Sequence, residues 1–327
     1  MTGATILGCA GPVLTPDDGA FFRSADPWGF ILFRRNVTDA AQLRALTDAL
    51  RNAVGRDAPV FMDQEGGTVQ RLRPPLARDW PDASAQPGGA AAAYLRHRLM
   101  AAELRAVGVD GNCAPVIDVA GPQTHPFLAR RIWSDDPVQV ANIARAAADG
   151  LLAGGVLPVI KHLPGHGAAN ADTHHDLARC TLTLAQLEAR DFAPVRALAD
   201  LPLGMTAHVV FDALDADNPA TLSPAVLRHL RENLGFAGLL MTDDISMNAL
   251  GGTLIDRAAR ALAAGCDVVL HCSGDRTEME GVATASGTLT AAAAGRAATA
   301  LAARCQPDAI DIAAVTADLE RLCNAGV

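Results

Sequence analysis

Leu157-Pro158-Val159-Ile160-Lys161-His162 is a short apolar run that ends in two titratable residues. A run of this length is typical of a buried strand. The same pattern, an apolar run followed by a polar residue, returns several times along the chain. Its repetition indicates how the whole chain folds.

The predicted strands alternate with longer amphipathic segments. The first clear helix has Leu43, Leu46 and Leu50 at helical spacing and stops at Gly55. Repeated β-then-α units form parallel sheets, and eight such strands close a (β/α)8 barrel. We therefore predict an α/β protein with one TIM-type catalytic barrel over residues 1–327, because no linker divides the chain; a doubly wound open sheet is the alternative. The predicted strands cover residues 4–9, 29–33, 59–62, 114–117, 157–160, 204–207, 238–241 and 266–270.

Polar residues cluster where the predicted strands end. In an α/β barrel these ends form one face, and the loops that follow them build the site. One such residue would be unremarkable, but five strands in succession end in one. The residues at these ends are Asp63, Asp118, Lys161-His162, His208 and Asp243-Asp244.

The bulk composition excludes several kinds of partner. With a net charge of −9 and 4% aromatic residues, the chain has neither a basic tract nor a stacking platform for nucleic acid. No apolar stretch reaches the roughly 18 residues that span a bilayer. The seven cysteines are scattered and form no Cys-x-x-Cys pair, which favours reduced thiols in the cytoplasm. We expect a cytoplasmic monomer that acts on a small molecule.

The densest polar segment, residues 161–176, holds the only lysine, Lys161, and four of the nine histidines. Asp172 and His174 are two positions apart, so in an extended segment both point to the same side. A carboxylate behind a histidine fixes its tautomer and stabilises the protonated ring, which makes His174 a candidate proton donor. Asp243 or Asp244 could face it as a carboxylate, while the other anchors the next turn. Such a pair suits cleavage of a glycosidic bond.

Four motifs stand out together. They are Asp63-Gln64-Glu65-Gly66-Gly67-Thr68-Val69-Gln70-Arg71, Lys161-His162-Leu163-Pro164-Gly165-His166-Gly167, Asp172-Thr173-His174 and Thr242-Asp243-Asp244-Ile245-Ser246-Met247. These motifs resemble the signatures of glycoside hydrolase family 3. The resemblance is greatest to its single-domain bacterial β-N-acetylglucosaminidases of peptidoglycan recycling, and it spans nearly the whole chain.

The resemblance implies a retaining exo-hydrolase that acts on terminal β-linked N-acetylglucosamine, with no metal and no cofactor. By motif, Asp243 matches the nucleophile that forms a glycosyl-enzyme ester, His174 the general acid/base, and Asp172 its partner. The implied substrate is a saccharide such as a muropeptide fragment. Five further residues match sugar-binding positions, namely Asp63, Arg71, Arg131, Lys161 and His162.

The sequence departs from the family pattern near the expected site. Thr68 stands where arginine is more usual, and Leu163 replaces a common phenylalanine. The segment around residues 128–133 offers two arginines for one sugar-binding position, Arg130 and Arg131. Of these, Arg131 aligns better.

Three alternative interpretations stay open on the sequence. Lys161 could form a Schiff base in a barrel lyase if desolvation depressed its pKa. Four histidines could ligate zinc, although their spacing lacks the His-Glu-x-x-His signature; they are His162, His166, His174 and His175. The barrel could also bind sugar without turning it over.

Overall fold

Strands and helices alternate through the part of the chain that the computed structural model describes, residues 1–122, 124–169 and 177–325. The strands are β1 Gly3–Gly8, β2 Pro27–Leu32, β3 Val60–Met62, β4 Gln64–Gly66, β5 Val69–Gln70, β6 Gly111–Asn112, β7 Leu157–Leu163, β8 Ala178–Cys180, β9 Leu203–Thr206, β10 Val209–Phe211, β11 Asp215–Pro219, β12 Leu239–Met241 and β13 Val269–His271. The helices are α1 Pro16–Ala25, α2 Ala40–Val54, α3 Gly89–Arg105, α4 Pro126–Ala129, α5 Pro137–Ala153, α6 Leu184–Ala189, α7 Phe192–Ala197, α8 Pro224–Glu232, α9 Leu254–Ala264, α10 Arg276–Ser286, α11 Ala291–Ala302 and α12 Ile312–Ala325.

Eight parallel strands form a closed barrel in which each strand lies beside its neighbour in the sequence. Their hydrogen-bonded order is β12, β9, β7, β6, β3, β2, β1 and β13. The barrel closes through a parallel bridge between Met241 of β12 and Val268, the residue directly before β13. The predicted (β/α)8 barrel is therefore confirmed, and the alternative of an open doubly wound sheet is wrong.

The helices begin and end at the capping residues that the sequence supplies. Thr183 and Gln186 form a capping box at α6. Ser223 caps α8, and proline occupies its first position. Gly55 follows the last residue of α2 and adopts a φ of 64°, a left-handed conformation that glycine tolerates without a steric penalty.

Apolar side chains fill the barrel interior. Trp28 and Phe61 lie 5.9 Å apart between ring centroids, within a buried cluster drawn from the barrel strands. Ala297 and Ala300 of α11 pack against the same cluster. Since the interior is filled in this way, the polar residues of the strands are left at the carboxyl end of the barrel.

The fourth predicted strand, residues 114–117, is wrong. The strand that pairs with β3 and β7 is β6, which has only two residues. Residues 114–117 run beside β7 with a single isolated bridge, from Val116 to Lys161. Pro115 has no amide hydrogen to donate to a regular ladder, whereas glycine and asparagine, which form β6, have low strand propensity and gave no signal.

Two smaller sheets stand on the loops that follow barrel strands. β4 and β5 form an antiparallel hairpin directly after β3, and β8, β10 and β11 form a three-stranded sheet. Within the described ranges, every helix is too short or too polar to cross a bilayer. All seven cysteines are free thiols, as predicted.

Candidate active site

A pocket of about 340 Å³ opens at the carboxyl end of the barrel strands. It brings together side chains from four barrel strands, β2, β7, β9 and β13, and from six of the loops that follow barrel strands. Two predicted site residues, Asp172 and His174, lie outside the described residues. The other six all line the pocket, namely Asp63, Arg71, Arg131, Lys161, His162 and Asp243.

Asp63 stands directly after β3 and is held by two cations. Lys161 Nζ lies 3.0 Å from Asp63 Oδ1, and Arg71 Nη2 lies 2.9 Å from Oδ2. Burial raises the pKa of the Asp63 carboxyl, but Lys161 and Arg71 outweigh it and hold the pKa well below its ordinary value. Asp63 is therefore an ionised acceptor at neutral pH.

Glu65 is one of the residues that sequence reasoning did not include in the site. Its carboxylate accepts two hydrogen bonds from Arg131, both at 2.9 Å, and forms an ion pair with Lys161 at 2.6 Å. Burial raises the pKa of Glu65, and these two cations lower it to a net value below the ordinary one. With both oxygens occupied and ionised, Glu65 is not suited to act as the general acid. Its position after a predicted strand end was the signal that could have identified it.

The arginine loop, residues 128–133, holds two arginines that have different partners. Arg131 lines the pocket and pairs with Glu65, as described above. Arg130 instead pairs with Asp82 at 2.9 Å, and its side chain is 62% exposed. The geometry therefore favours Arg131 as the residue that reaches a bound sugar.

His162 is oriented by a buried carboxylate. Its Nδ1 lies 2.8 Å from Asp118 Oδ2, and Arg131 Nη2 lies 3.4 Å from its Nε2. Both contacts are satisfied by the tautomer with its hydrogen on Nδ1. In this tautomer Nδ1–H donates a hydrogen bond to Asp118, and Nε2 accepts one from Arg131. Burial raises the pKa of Asp118, but His162 and the other donors lower it below its ordinary value. Asp118 thus belongs to the site as a support for His162.

The two adjacent aspartates after β12, Asp243 and Asp244, have different hydrogen-bond partners, which shows which of them anchors the turn. Asp244 Oδ1 accepts from the Ser246 and Cys272 amides at 3.1 and 3.3 Å, and its Oδ2 accepts from the Ser246 hydroxyl at 2.6 Å. Asp244 therefore anchors the turn. Asp243 accepts only the Asp244 amide, at 2.8 Å, among the hydrogen bonds of the described residues. Its carboxylate is the one free to meet a ligand.

Asp243 is ionised in this setting. Burial raises the pKa of its carboxyl, but the nearby His208, His162 and Lys161, together with the Asp244 amide, bring it below the ordinary value. His208 also holds the turn in place, because its Nε2 lies 3.0 Å from the Asp244 carbonyl. The site therefore presents a fixed anionic carboxylate in a pocket lined with cations.

One of the alternative interpretations conflicts with this geometry. Burial lowers the pKa of Lys161, yet its ion pairs with Asp63 and Glu65 raise it above the ordinary value, the opposite of what a Schiff-base lysine requires. The zinc interpretation stays open: the described part of the chain holds no group of three or more metal-binding side chains, but two of the four histidines, His174 and His175, are not in that part.

Known proteins resemble the chain over most of its length. Residues 28–302 match the Glycosyl hydrolase family 3 N terminal domain. A β-hexosaminidase of Nitrosospira multiformis is 38% identical over 288 residues, which cover 83% of this chain and 80% of that protein. A β-hexosaminidase of Methylococcus capsulatus is 40% identical over 274 residues, 80% of each. NagZ from Neisseria gonorrhoeae, solved in complex with N-trifluoroacetyl-D-glucosamine, superposes with a TM-score of 0.84 at 28% identity and covers 99% of this chain and 97% of its own.

Proposed function

The chain belongs to glycosyl hydrolase family 3 and is a glycoside hydrolase, and from this premise we propose that it is a retaining β-N-acetylglucosaminidase. Its substrate is a terminal, non-reducing β-linked N-acetylglucosamine. The relatives named β-hexosaminidase and the sugar-analogue complex of NagZ support this choice of sugar. We also propose peptidoglycan fragments as the source of the sugar, on the resemblance of the motifs, and a location in the cytoplasm, on the scattered reduced cysteines.

The single observation that carries the proposal is the Asp243 carboxylate, ionised and without a second hydrogen bond in the described contacts, inside the pocket. In a retaining mechanism such a carboxylate attacks the anomeric carbon while an acid protonates the departing oxygen. We assign attack to Asp243 and protonation to His174, with Asp172 orienting the imidazole. Water then cleaves the ester, and His174 takes up its proton.

One wall of the pocket suits the hydroxyl groups of a sugar. Asp63 offers acceptor oxygens, while Arg71, Arg131 and Lys161 offer donors whose charges are already neutralised by carboxylates. Because these groups are paired before the sugar arrives, they need little reorganisation on binding. A non-catalytic sugar-binding barrel would share this wall but would have no use for the isolated carboxylate of Asp243.

Purified protein is assayed on a panel of chromogenic β-glycosides with and without a 2-acetamido group. We expect turnover of the N-acetylglucosaminide, and Asp243→Ala and His174→Ala each to lose at least about 100-fold in kcat while remaining folded. Arg130→Ala serves as the control and keeps its activity. Binding without turnover by the unmodified protein, or near-normal activity of either catalytic variant, contradicts the proposal.

A further inference from the structure

Arg96 of α3 is a cation buried without an acidic partner. Its side chain has 0% exposure, and no salt bridge to it occurs among the described residues. Burial lowers the pKa of the guanidinium to about 10, so it remains charged at neutral pH. A buried charge of this kind is costly unless its hydrogen bonds are well satisfied.

Backbone and amide oxygens accept three hydrogen bonds from Arg96, whereas its buried Nε has no partner among the described residues. Arg96 Nη2 donates to the carbonyls of Glu65 and Pro81, both at 2.7 Å. Its Nη1 donates to Gln86 Oε1 at 3.0 Å. All three acceptors lie in the loop that follows β3, so a single guanidinium fixes that loop at three points.

Two tryptophans bring a second loop to the same guanidinium. Arg96 Cζ lies 5.7 Å from the Trp80 ring and 5.4 Å from the Trp133 ring. A cation over the face of an indole is attracted by the ring quadrupole, most strongly when water is excluded. Trp80 belongs to the loop after β3, and Trp133 belongs to the arginine loop, two residues beyond Arg131. Arg96 therefore joins the two loops.

The β4–β5 hairpin, which is part of the loop after β3, is shaped around Arg96. Gly66 has a φ of 106°, and a β-carbon there would lie 2.0 Å from Arg96 Nη2. Glycine at this position lets the guanidinium reach the Glu65 carbonyl. The side chain of the same Glu65 holds both Arg131 and Lys161. A shift of the Glu65 backbone would therefore move the two cations that line one wall of the pocket.

We propose that Arg96 is a positioning residue for sugar binding, acting through Glu65 and Trp133 on Arg131. Arg96 does not line the pocket and does not touch a bound sugar. The inference rests on the proposed function in one respect, the assignment of Arg131 to the sugar. The contacts that connect Arg96 to Arg131 do not depend on which sugar binds.

Arg96→Met tests the inference with Arg98→Met as a matched control. Arg98 is a buried arginine on the same helix, but it donates to the Asp308 carbonyl, away from the pocket. Loss of uniform binding raises KM with little change in kcat. We expect Arg96→Met to raise KM for a chromogenic N-acetylglucosaminide at least about tenfold and to change kcat less than about threefold. Arg98→Met keeps KM within about twofold, whatever its thermal midpoint.

A double-mutant cycle separates positioning from general loosening of the fold. If Arg96 acts through Arg131, its loss in an Arg131→Ala background lowers kcat/KM less than about twofold further. The inference is overturned if loss of Arg96 lowers kcat/KM by the same factor in the wild-type and Arg131→Ala backgrounds. A normal KM in Arg96→Met also overturns it. An equal rise in KM in Arg98→Met also overturns it.

A loop variant keeps the test valid if Arg96→Met does not fold. Trp133→Leu removes one ring from the guanidinium and leaves its three hydrogen bonds. We expect a rise in KM of about threefold that vanishes in the Arg131→Ala background; an unchanged KM counts against the inference. Failure of the proposed function is distinguishable, because the unmodified protein would then turn over no N-acetylglucosaminide. In that case calorimetric binding of N-acetylglucosamine to the same variants measures the Arg96 effect.

Discussion

Lys161 shows at the scale of one residue why a chain with 26 arginines uses a lysine here. Its Nζ lies between Asp63 Oδ1 and Glu65 Oε1, at 3.0 and 2.6 Å, with a side chain only 3% exposed. A compact ammonium fits between two carboxylates that already hold an arginine each, whereas the planar fork of a third guanidinium needs more room. The sequence identified this residue from its rarity, but not its two partners.

Replacing Lys161 with methionine leaves the two carboxylates with one cation fewer. We expect the free energy of unfolding to fall by roughly 3 kcal/mol, the lower end of the range for breaking a buried ion pair, because Arg71 and Arg131 remain. KM rises as well, since the wall of the pocket relaxes. Urea denaturation and steady-state kinetics measure the two effects. A variant of normal stability and normal KM would show that the ammonium is not needed in either role.

At the scale of elements, the apolar runs were sufficient to predict seven of the eight barrel strands. β6 could not be predicted, because its pairing is set by the neighbouring strands and not by its own Gly111 and Asn112 side chains. β7 is longer than its apolar run, and Lys161 and His162 lie within it, not after it. The pattern marks where a strand is apolar, not where its hydrogen bonds stop.

Loops pack against each other closely at the carboxyl end, and Gly167 marks the closest approach. A β-carbon at Gly167 would lie 1.8 Å from the Val119 carbonyl oxygen, and the Gly167 carbonyl accepts from the Thr124 hydroxyl. Because the obstacle is backbone, it cannot rotate away. The loops after β6 and β7 therefore meet only if residue 167 has no side chain.

Gly167→Ala is expected to separate these two loops. We expect a loss of about 1–3 kcal/mol in stability from overpacking. A drop in kcat/KM of at least about tenfold should accompany it, because misplaced groups react slowly. Gly295→Ala in the middle of α11 is the control: apart from the adjacent residues and backbone of its own helix, no heavy atom of the described residues lies within 4 Å of a β-carbon there. Alanine at this position stabilises the protein by about 0.5–1 kcal/mol. Thermal unfolding and steady-state kinetics of both variants measure these effects. If Gly167→Ala has the same stability and kcat/KM as Gly295→Ala, the packing argument is wrong.

Across the whole molecule, motif resemblance predicted six of the residues that line the pocket, but the supporting groups escaped it. Glu65 and Arg131 are 66 residues apart, and Arg96 and Glu65 are 31 apart. Such contacts depend on how three loops and a helix pack, which no local spacing encodes. An arginine on a helix is ordinarily read as solvent-exposed, so the sequence alone gave no reason to bury Arg96. The roles of Asp172 and His174 stay predictions.

Buried histidines make the stability of the whole barrel sensitive to acid. His97 of α3 is 1% exposed, and its Nδ1 donates to the Ala93 carbonyl at 2.8 Å. Burial, together with the neighbouring Arg96, lowers the pKa of His97 to about 3, and burial lowers the pKa of His166 to about 4. In the unfolded chain both imidazoles become protonated as the pH falls through about 6.5, whereas in the folded chain they stay neutral there. Stability is therefore complete above about pH 6.5 and is lost as the pH falls below it.

His97→Leu removes one of these two titrating histidines. In the wild type, lowering the pH from 7 to 5 costs about 2 kcal/mol through His97 alone, because only the unfolded state is protonated over most of that interval. A leucine at this buried position removes the titration and keeps an apolar contact with Trp133. We expect the difference in unfolding free energy between pH 7 and pH 5, from urea titrations, to be about 2 kcal/mol smaller in the variant than in the wild type. Asp191, whose pKa burial raises to about 6, contributes in the opposite direction, but equally in both proteins. Equal losses in the two proteins would mean that His97 is protonated in the folded state.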